Sequence, residues 1–445
     1  MRGDGEWEMG NGEMKLNRYP KYKPSGIAWL PEVPEGWEVA MVGHCYDIQL
    51  GKMLCSEQRD ASYSLEPYYC AANVHFESVQ ATGLKQMWFS EEEKKVYRVL
   101  NGDLLIVEGG AGAGGSAIVK NHQQEAYIQN SILRVRHHAN TDNTFLCYWM
   151  EAIVKRGYVD VVCNKATIPH FTKEKVSRVP FPLPPLPTQR AIVAFLDGKC
   201  GKIDRWVAAK EREVALLKEL KQAMIAEAVT GATNVARTDT ARKMKPSGIP
   251  WLPEVPEGWE VKKVRQHFRL RSEKVSEQDY PPLSVAKVGV VPQLADVAIS
   301  MAQGETRKLV REGDYVVNSR SDRKGSCGIA PQDGSVTTIS IVLEPRQIDR
   351  QFVHYLFRST PWVEEFYRNG RGIVADLWTT RYQEMRNMAF PLPPLAEQRA
   401  IVAYIEARAA KIDAAVAGLE REVAAMKEYK QRLIADVVTG QRKVA

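Results

Sequence analysis

The sequence predicts two mixed α/β (α+β) blocks of one fold, separated by two long coiled-coil α-helices, in a pseudo-twofold internal repeat. Three observations predict it. A short lead-in segment occurs twice, a 51-residue segment occurs twice, and each copy of the second segment carries a heptad pattern.

The lead-in reads KPSGIAWLPEVPEGW at 23–37 and KPSGIPWLPEVPEGW at 245–259, with fourteen of fifteen positions identical. Its prolines and glycines predict an extended, turn-rich segment. Trp29, Trp37, Trp251 and Trp259 are expected to anchor it to the block that follows. The second repeat runs from Phe181 to Gly231 and from Phe390 to Gly440, with 31 identities in 51 positions. Each copy opens on FPLPPL, where proline forbids helix, so the helix is expected to start just beyond, with Thr188 and Glu397 near the capping position.

The helices follow from spacing. Leu196, Ile203, Lys210, Leu217 and Met224 step by sevens, as do Val193, Cys200, Val207 and Val214. In the second copy the stripes are Ile405, Ile412, Leu419 and Met426, and Val402, Ala409, Val416 and Val423. Sustained over about five heptads, this is a coiled-coil pattern. Lys221 and Lys430 interrupt it at equivalent positions, where a polar residue can fix register. Gly231 and Gly440 are natural helix stops. Paired antiparallel, two such helices would carry the blocks at their ends. The boundaries expected are an extension at 1–14, a first block at 15–186, a helix at 187–231, a linker at 232–244, a second block at 245–395, a helix at 396–440 and a tail at 441–445.

The two blocks share little sequence but one faint order: Gly-Asp, strand, polar or glycine-rich loop, strand, later strand, helix. The first reads NGDLLIVEGGAGAGGSAIV and the second EGDYVVNSRSDRKGSCGIA. The same fold with different surfaces is the expectation. Gly110, Gly112 and Gly115 spell G-x-G-x-x-G, but the residues after them do not read as a helix, so a dinucleotide site is not supported.

Composition narrows the function. Of the 445 residues, 44% are apolar and 26% charged, as in a folded globular protein. Apolar runs such as Leu104–Val107 are far short of the roughly 20 residues that span a bilayer, and the N-terminus has no apolar core, so a cytoplasmic protein without membrane contact is expected. Seven irregularly spaced cysteines read as reduced thiols, not disulfides or a zinc site. Net charge is +7 overall but −2 over residues 1–180, so nucleic-acid contacts would rest on local patches. No P-loop, methyltransferase tetrad, nucleophile elbow or zinc-protease motif is present, so no catalytic residue is assigned.

Loop chemistry supplies the candidate DNA-binding residues. In the first block these are Gly112, Gly114, Ser116 and Lys120 on the glycine loop, then Lys155, Arg156, Asn164 and Lys165. In the second they are Ser319, Arg320, Arg323 and Lys324, then Arg368, Arg371, Thr379 and Arg381. Bare glycine amides can approach phosphates, and arginine can grip a phosphate or a guanine edge.

The duplicated P-x-G-I-x-W-L-P-x-V-P-x-G-W (24–37, 246–259) and P-L-P-P-L-x-x-Q-R-A-I-V-A (182–194, 391–403), each of the latter entering a heptad helix, resemble the DNA-specificity subunits of type I restriction–modification systems. That resemblance implies two target-recognition domains, each reading one half of a bipartite site in double-stranded DNA. It implies that the helices set the spacer and dock two methyltransferase (modification) subunits, with restriction/translocase subunits completing the complex. The chain would itself be non-catalytic, within a complex of adenine-N6 methyltransferase and ATP-dependent endonuclease activity. No cofactor is then expected on this chain: S-adenosylmethionine, ATP and Mg²⁺ would belong to partners. The competing expectation is a coiled-coil scaffold presenting two protein-binding domains without DNA recognition.

Overall fold

The computed structural model describes residues 17–76, 78–120, 124–163, 169–235, 242–293, 307–372 and 378–444. The chain divides into two compact units, residues 1–209 with 422–445 and residues 210–421. Each takes part of both long helices.

In the first unit the lead-in is a hairpin, β1 (Tyr22–Ile27) against β2 (Leu30–Pro34), followed by β3 (Glu38–Met41) and β4 (Tyr46–Leu50). The expected extended, turn-rich segment is thus a paired hairpin. Ser25 and Gly26 (φ 74°) form a bulge within β1, and Ala28 and Trp29 turn the chain at the hairpin tip. After a small three-stranded sheet (Tyr127–Ile128, Ser64–Tyr69, Lys85–Phe89), the central sheet forms from β5 (Leu104–Val107), β6 (Ser116–Ile118) and β7 (Ile132–His137) in the order β6-β5-β7-β4, antiparallel throughout. β5 is buried on both faces, which explains its unbroken LLIV. α1 (Asn143–Lys155) covers one face with Phe145, Leu146, Trp149 and Ile153. β8 (Pro180–Leu183) pairs with β3 and leads into the long helix α2 (Leu186–Thr230).

The second unit repeats this plan. β9 (Met244–Ile249) and β10 (Leu252–Pro256) form the hairpin, and β11 (Glu260–Lys263) precedes β12 (Phe268–Arg271). β13 (Tyr315–Asn318), β14 (Cys327–Ile329) and β15 (Ser340–Pro345) complete a sheet of order β14-β13-β15-β12, position for position that of the first unit. Helices α3 (Arg350–Arg358) and α4 (Thr360–Arg368) follow, then β16 (Ala389–Leu392) on β11 and the long helix α5 (Leu395–Val438). The blocks therefore share one fold, as their faint common pattern predicts.

The lead-in tryptophans anchor as expected. Trp37 and Trp259 are buried, Trp29 stacks on Trp149 at 5.2 Å, and Trp251 meets Trp362 edge-on at 6.0 Å. The heptad residues Leu196, Ile203, Val207, Val214, Ile405, Val416 and Val423 are buried, while Leu217, Ile412, Leu419 and Met426 are half-buried. Within the first unit, Ile192 to Val207 share one core with Val423 to Val438.

One expectation is corrected. Thr188 and Glu397 are not caps but lie two residues inside the helix starts, Leu186 and Leu395. The junction is held instead by the next residue, Gln189 or Gln398, both buried. Gln189 Nε2 donates to Pro184 O at 2.8 Å, and its Oε1 accepts from Asp142 N at 3.0 Å. Gln398 makes the same two bonds, to Pro393 O and from Asp349 N, each at 2.8 Å. A carboxamide carries both the donor and the acceptor this junction needs.

The ends of the long helices dock on the hairpins. Gly231 (φ 82°) lies against Pro256 and Trp259, and Gly440 (φ 73°) against Pro34 and Trp37. Tyr22 Oη donates to Gly440 O at 2.9 Å and Lys443 N to Asn17 O at 2.7 Å, so the C-terminal tail is fastened to the first hairpin.

Candidate nucleic-acid interface

In the second unit three loop segments lie side by side. The loop after β13 is held by Ser321 N donating to Trp378 O at 2.9 Å and Thr380 N donating to Ser319 O at 3.0 Å. Thr379 bridges both Arg320 and Arg371, exchanging main-chain bonds of 3.1 and 3.2 Å with Arg371. Residues far apart in sequence thus present Arg320, Arg323, Lys324, Arg368, Arg371 and Arg381 from one loop cluster. All six are exposed.

Five of these cations have carboxylate partners on the same surface. Arg320 and Arg323 face Asp322 at 2.9 and 3.7 Å, Lys324 faces Glu364 at 3.1 Å, Arg368 faces Glu365 at 3.2 Å and Arg371 faces Glu384 at 3.6 Å. The pairs on Asp322 and Glu364 are exposed on both sides, and such pairs contribute about 1 kcal/mol or less. At Arg320, Arg323 and Lys324 a phosphate or a guanine edge can therefore replace the carboxylate at small cost. Arg371, with 84% of its side chain exposed, is the freest of them. Sequence reasoning passed over Trp378, which is 39% exposed between these arginines. Its signal was an aromatic residue beside T-T-R in a basic loop.

Ser319 is corrected. It is buried, and its hydroxyl donates to Ile339 O at 2.6 Å, which closes the loop from inside.

The first unit builds the same junction from different residues. Gly109 bridges His170, Gly110 N donates to Pro169 O at 3.1 Å, and Phe171 N donates to Glu108 O at 2.6 Å. The position of Arg320 is taken by Gly109 and that of Thr379 by His170, whose Nδ1 lies 3.0 Å from Glu108. Gly112 and Lys120 are exposed. Gly114 and Ser116 are corrected: both are interior. A Cβ at Gly114 (φ 84°) would meet Val159 at 2.8 Å, and the Ser116 hydroxyl donates to Gly114 O at 2.8 Å. These two residues shape the loop and do not face outward. Lys155 and Arg156 are exposed at the end of α1, over the rings of Phe76 (5.3 Å) and Trp29 (6.0 Å). Asn164 and Lys165 lie outside the described residues. The G-x-G-x-x-G sequence joins β5 to antiparallel β6, so it opens no helix and forms no dinucleotide cradle.

Exposed cations on loops fixed by a rigid sheet suit a polyanion.

The sequence profile of the type I restriction modification DNA specificity domain matches residues 34–203. Two curated relatives extend the likeness along the chain. The type I restriction enzyme MjaVIII specificity subunit of Methanocaldococcus jannaschii is 21% identical over 434 residues, 93% of this chain and 94% of that protein. The type I restriction enzyme EcoBI specificity subunit of Escherichia coli is 23% identical over 308 residues, 64% of each. The chain is thus similar to type I restriction–modification specificity subunits along nearly its whole length. A chain from structural work on complex assembly and conformational transition of the type I R-M system shares its fold, with a TM-score of 0.66 at 17% identity, covering 91% of this chain and 98% of that chain. The scaffold alternative is not favoured, because the matched domain is one of DNA specificity. Among the described residues, no helix is long and apolar enough to cross a membrane.

Proposed function

We propose that each block of this specificity subunit reads one half of a bipartite site in double-stranded DNA, and that the two long helices set the unread spacer and dock two methyltransferase subunits. The observation that carries the reading is the repeated loop junction. The same main-chain pairing fixes Gly109 to His170 in one block and Arg320 to Thr379 in the other. One scaffold thus presents two different chemistries, as two unlike half-sites require. The internal repeat suits two copies of one partner.

The chain carries recognition, and its partners carry the chemistry. S-adenosylmethionine, ATP and Mg²⁺ belong on the methyltransferase and restriction/translocase subunits. Adenine-N6 methylation and ATP-dependent cleavage are then activities of the assembly, and its place is the cytoplasm, with the DNA.

The test is substitution within one block. Replacing Arg320 and Arg371 by alanine in the complex with the methyltransferase is expected to relax one half of the methylated motif and leave the other half intact. Equal loss at both halves would overturn the division of labour.

A further inference from the structure

The two units contain equivalent cavities of unlike charge. Asp142 caps α1 and Asp349 caps α3, each accepting from main-chain N–H groups two or three residues on. Counted from those caps, Tyr148 matches Tyr355 and Glu151 matches Arg358. In the first unit Tyr148 and Glu151 line a cavity of about 430 Å³ with Asp197, Asp204, Lys120 and Lys430. Tyr148 donates to Asp197 at 2.7 Å. In the second unit the cavity, about 340 Å³, is lined by Lys221, Lys287, Lys324, Arg358, His354 and Tyr355, and among the described residues no carboxylate lines it.

Two of those cations are already compensated, Lys221 by Asp413 at 2.7 Å and Lys324 by Glu364 at 3.1 Å. The other two are not. Among the described residues, the Arg358 guanidinium donates only to neutral main-chain oxygens, Cys327 O at 2.9 Å and Lys287 O. Lys287 is exposed and has no ion pair among the described residues. His354 adds a polar atom, since its Nδ1 is buried without a partner. Burial, with Arg358 beside it, holds this imidazole down at about 4, so it is neutral near pH 7 and offers a hydrogen bond, not a charge. Two uncompensated cations and an unused polar atom around an open cavity fit one oxyanion. Lys324 belongs also to the loop cluster described above, so the cavity adjoins that surface.

We propose that this cavity binds a backbone phosphate of the DNA duplex, and that the equivalent cavity of the first unit, with three carboxylates in its lining, does not. The proposal rests on the reading of this chain as a DNA-recognition subunit. A phosphate contact adds affinity without base preference and steepens the dependence on salt.

The experiment measures binding of a cognate and a scrambled 30-base-pair duplex by the complex of full-length chain and methyltransferase, across a salt series. For Lys287→Ala the log–log salt slope should be shallower by about 0.9, the value for one phosphate, and affinity should fall by the same factor on both duplexes. An unchanged slope, or a loss confined to the cognate duplex, would overturn the assignment. Lys287 is exposed, so its loss leaves the fold intact. Inorganic phosphate alone provides a second arm. If it raises the melting temperature of wild type but not of Lys287→Ala, while the DNA salt slopes agree, the cavity serves free phosphate and the backbone assignment fails. A wild-type complex with no preference for any duplex would instead refute the recognition reading itself.

Discussion

Lys430 donates to Asp204 at 2.6 Å, and Lys221 donates to Asp413 at 2.7 Å, so that each long helix supplies the lysine of one pair and the aspartate of the other. Both lysines interrupt the apolar stripes. The environments differ: the Lys430 side chain is 11% exposed and that of Lys221 26%. Removing the partner of the more buried cation leaves the less compensated charge. Asp204→Ala should lower stability by about 1–2 kcal/mol and Asp413→Ala by less than about 1 kcal/mol. Denaturant unfolding of the two variants checks the order. Equal losses would show that burial does not distinguish the pairs.

Gln189 and Gln398 are expected to be as important as any core residue. Leucine at either position matches the volume but leaves the main-chain N–H of Asp142 or Asp349 without its acceptor. An unmet buried polar group costs about 1–3 kcal/mol. Gln189→Leu should therefore destabilise by that amount, whereas Thr188→Ala, one residue earlier, should change stability by less than about 0.5 kcal/mol. Thermal melts of the pair decide between the glutamine junction and a conventional cap.

Glycine is required at 440 for two reasons. Its φ is 73°, and an added Cβ would lie 2.5 Å from Pro34 Cδ. Gly440→Ala must move the helix end off the hairpin or strain the backbone, at a cost above about 1 kcal/mol. The exposed Gly36, where a Cβ meets nothing, should accept alanine without such loss. Hydrogen exchange at the first hairpin would report the detachment.

His354 predicts a pH dependence. Its imidazole is held at about 4 when folded, below the ordinary 6.5. The unfolded chain binds the proton more readily, so stability is full above pH 6.5 and falls as pH drops toward 4. The loss at full titration is up to about 3 kcal/mol. In His354→Gln that part of the slope should vanish. An identical slope between pH 6.5 and 4 in both proteins would show that other groups account for it.

Much of the architecture was legible in the sequence because it is written twice. The copied heptads located both helices, and the order from Gly102-Asp103 and Gly313-Asp314 onward located the two sheets. The hairpin form of the lead-in was not legible, since Pro24, Pro31 and Pro34 read as turn residues and only the pairing of β1 with β2 makes them strand. The helix starts expected at 187 and 396 lie one residue earlier, at Leu186 and Leu395, but local capping rules named the wrong residues as holding them. The true partner of Gln189 is 47 residues away, although the identity of Gln189 and Gln398 in the copied frame was a usable signal. Loop chemistry found the arginine cluster but not its assembly around Thr379. It also took Ser116 and Ser319 as surface groups, because spacing within an irregular loop does not reveal which side chains turn inward.

The central claim is that this chain directs methylation to a sequence with two independently read halves. The most direct measurement is long-read mapping of methylated adenines in cells expressing the chain with its methyltransferase, once as wild type and once with residues 245–389 exchanged for the block of another specificity subunit. The account predicts one split motif in the first case, and in the second a motif altered in one half only. A motif changed in both halves, or no motif from a stoichiometric soluble complex, would contradict it.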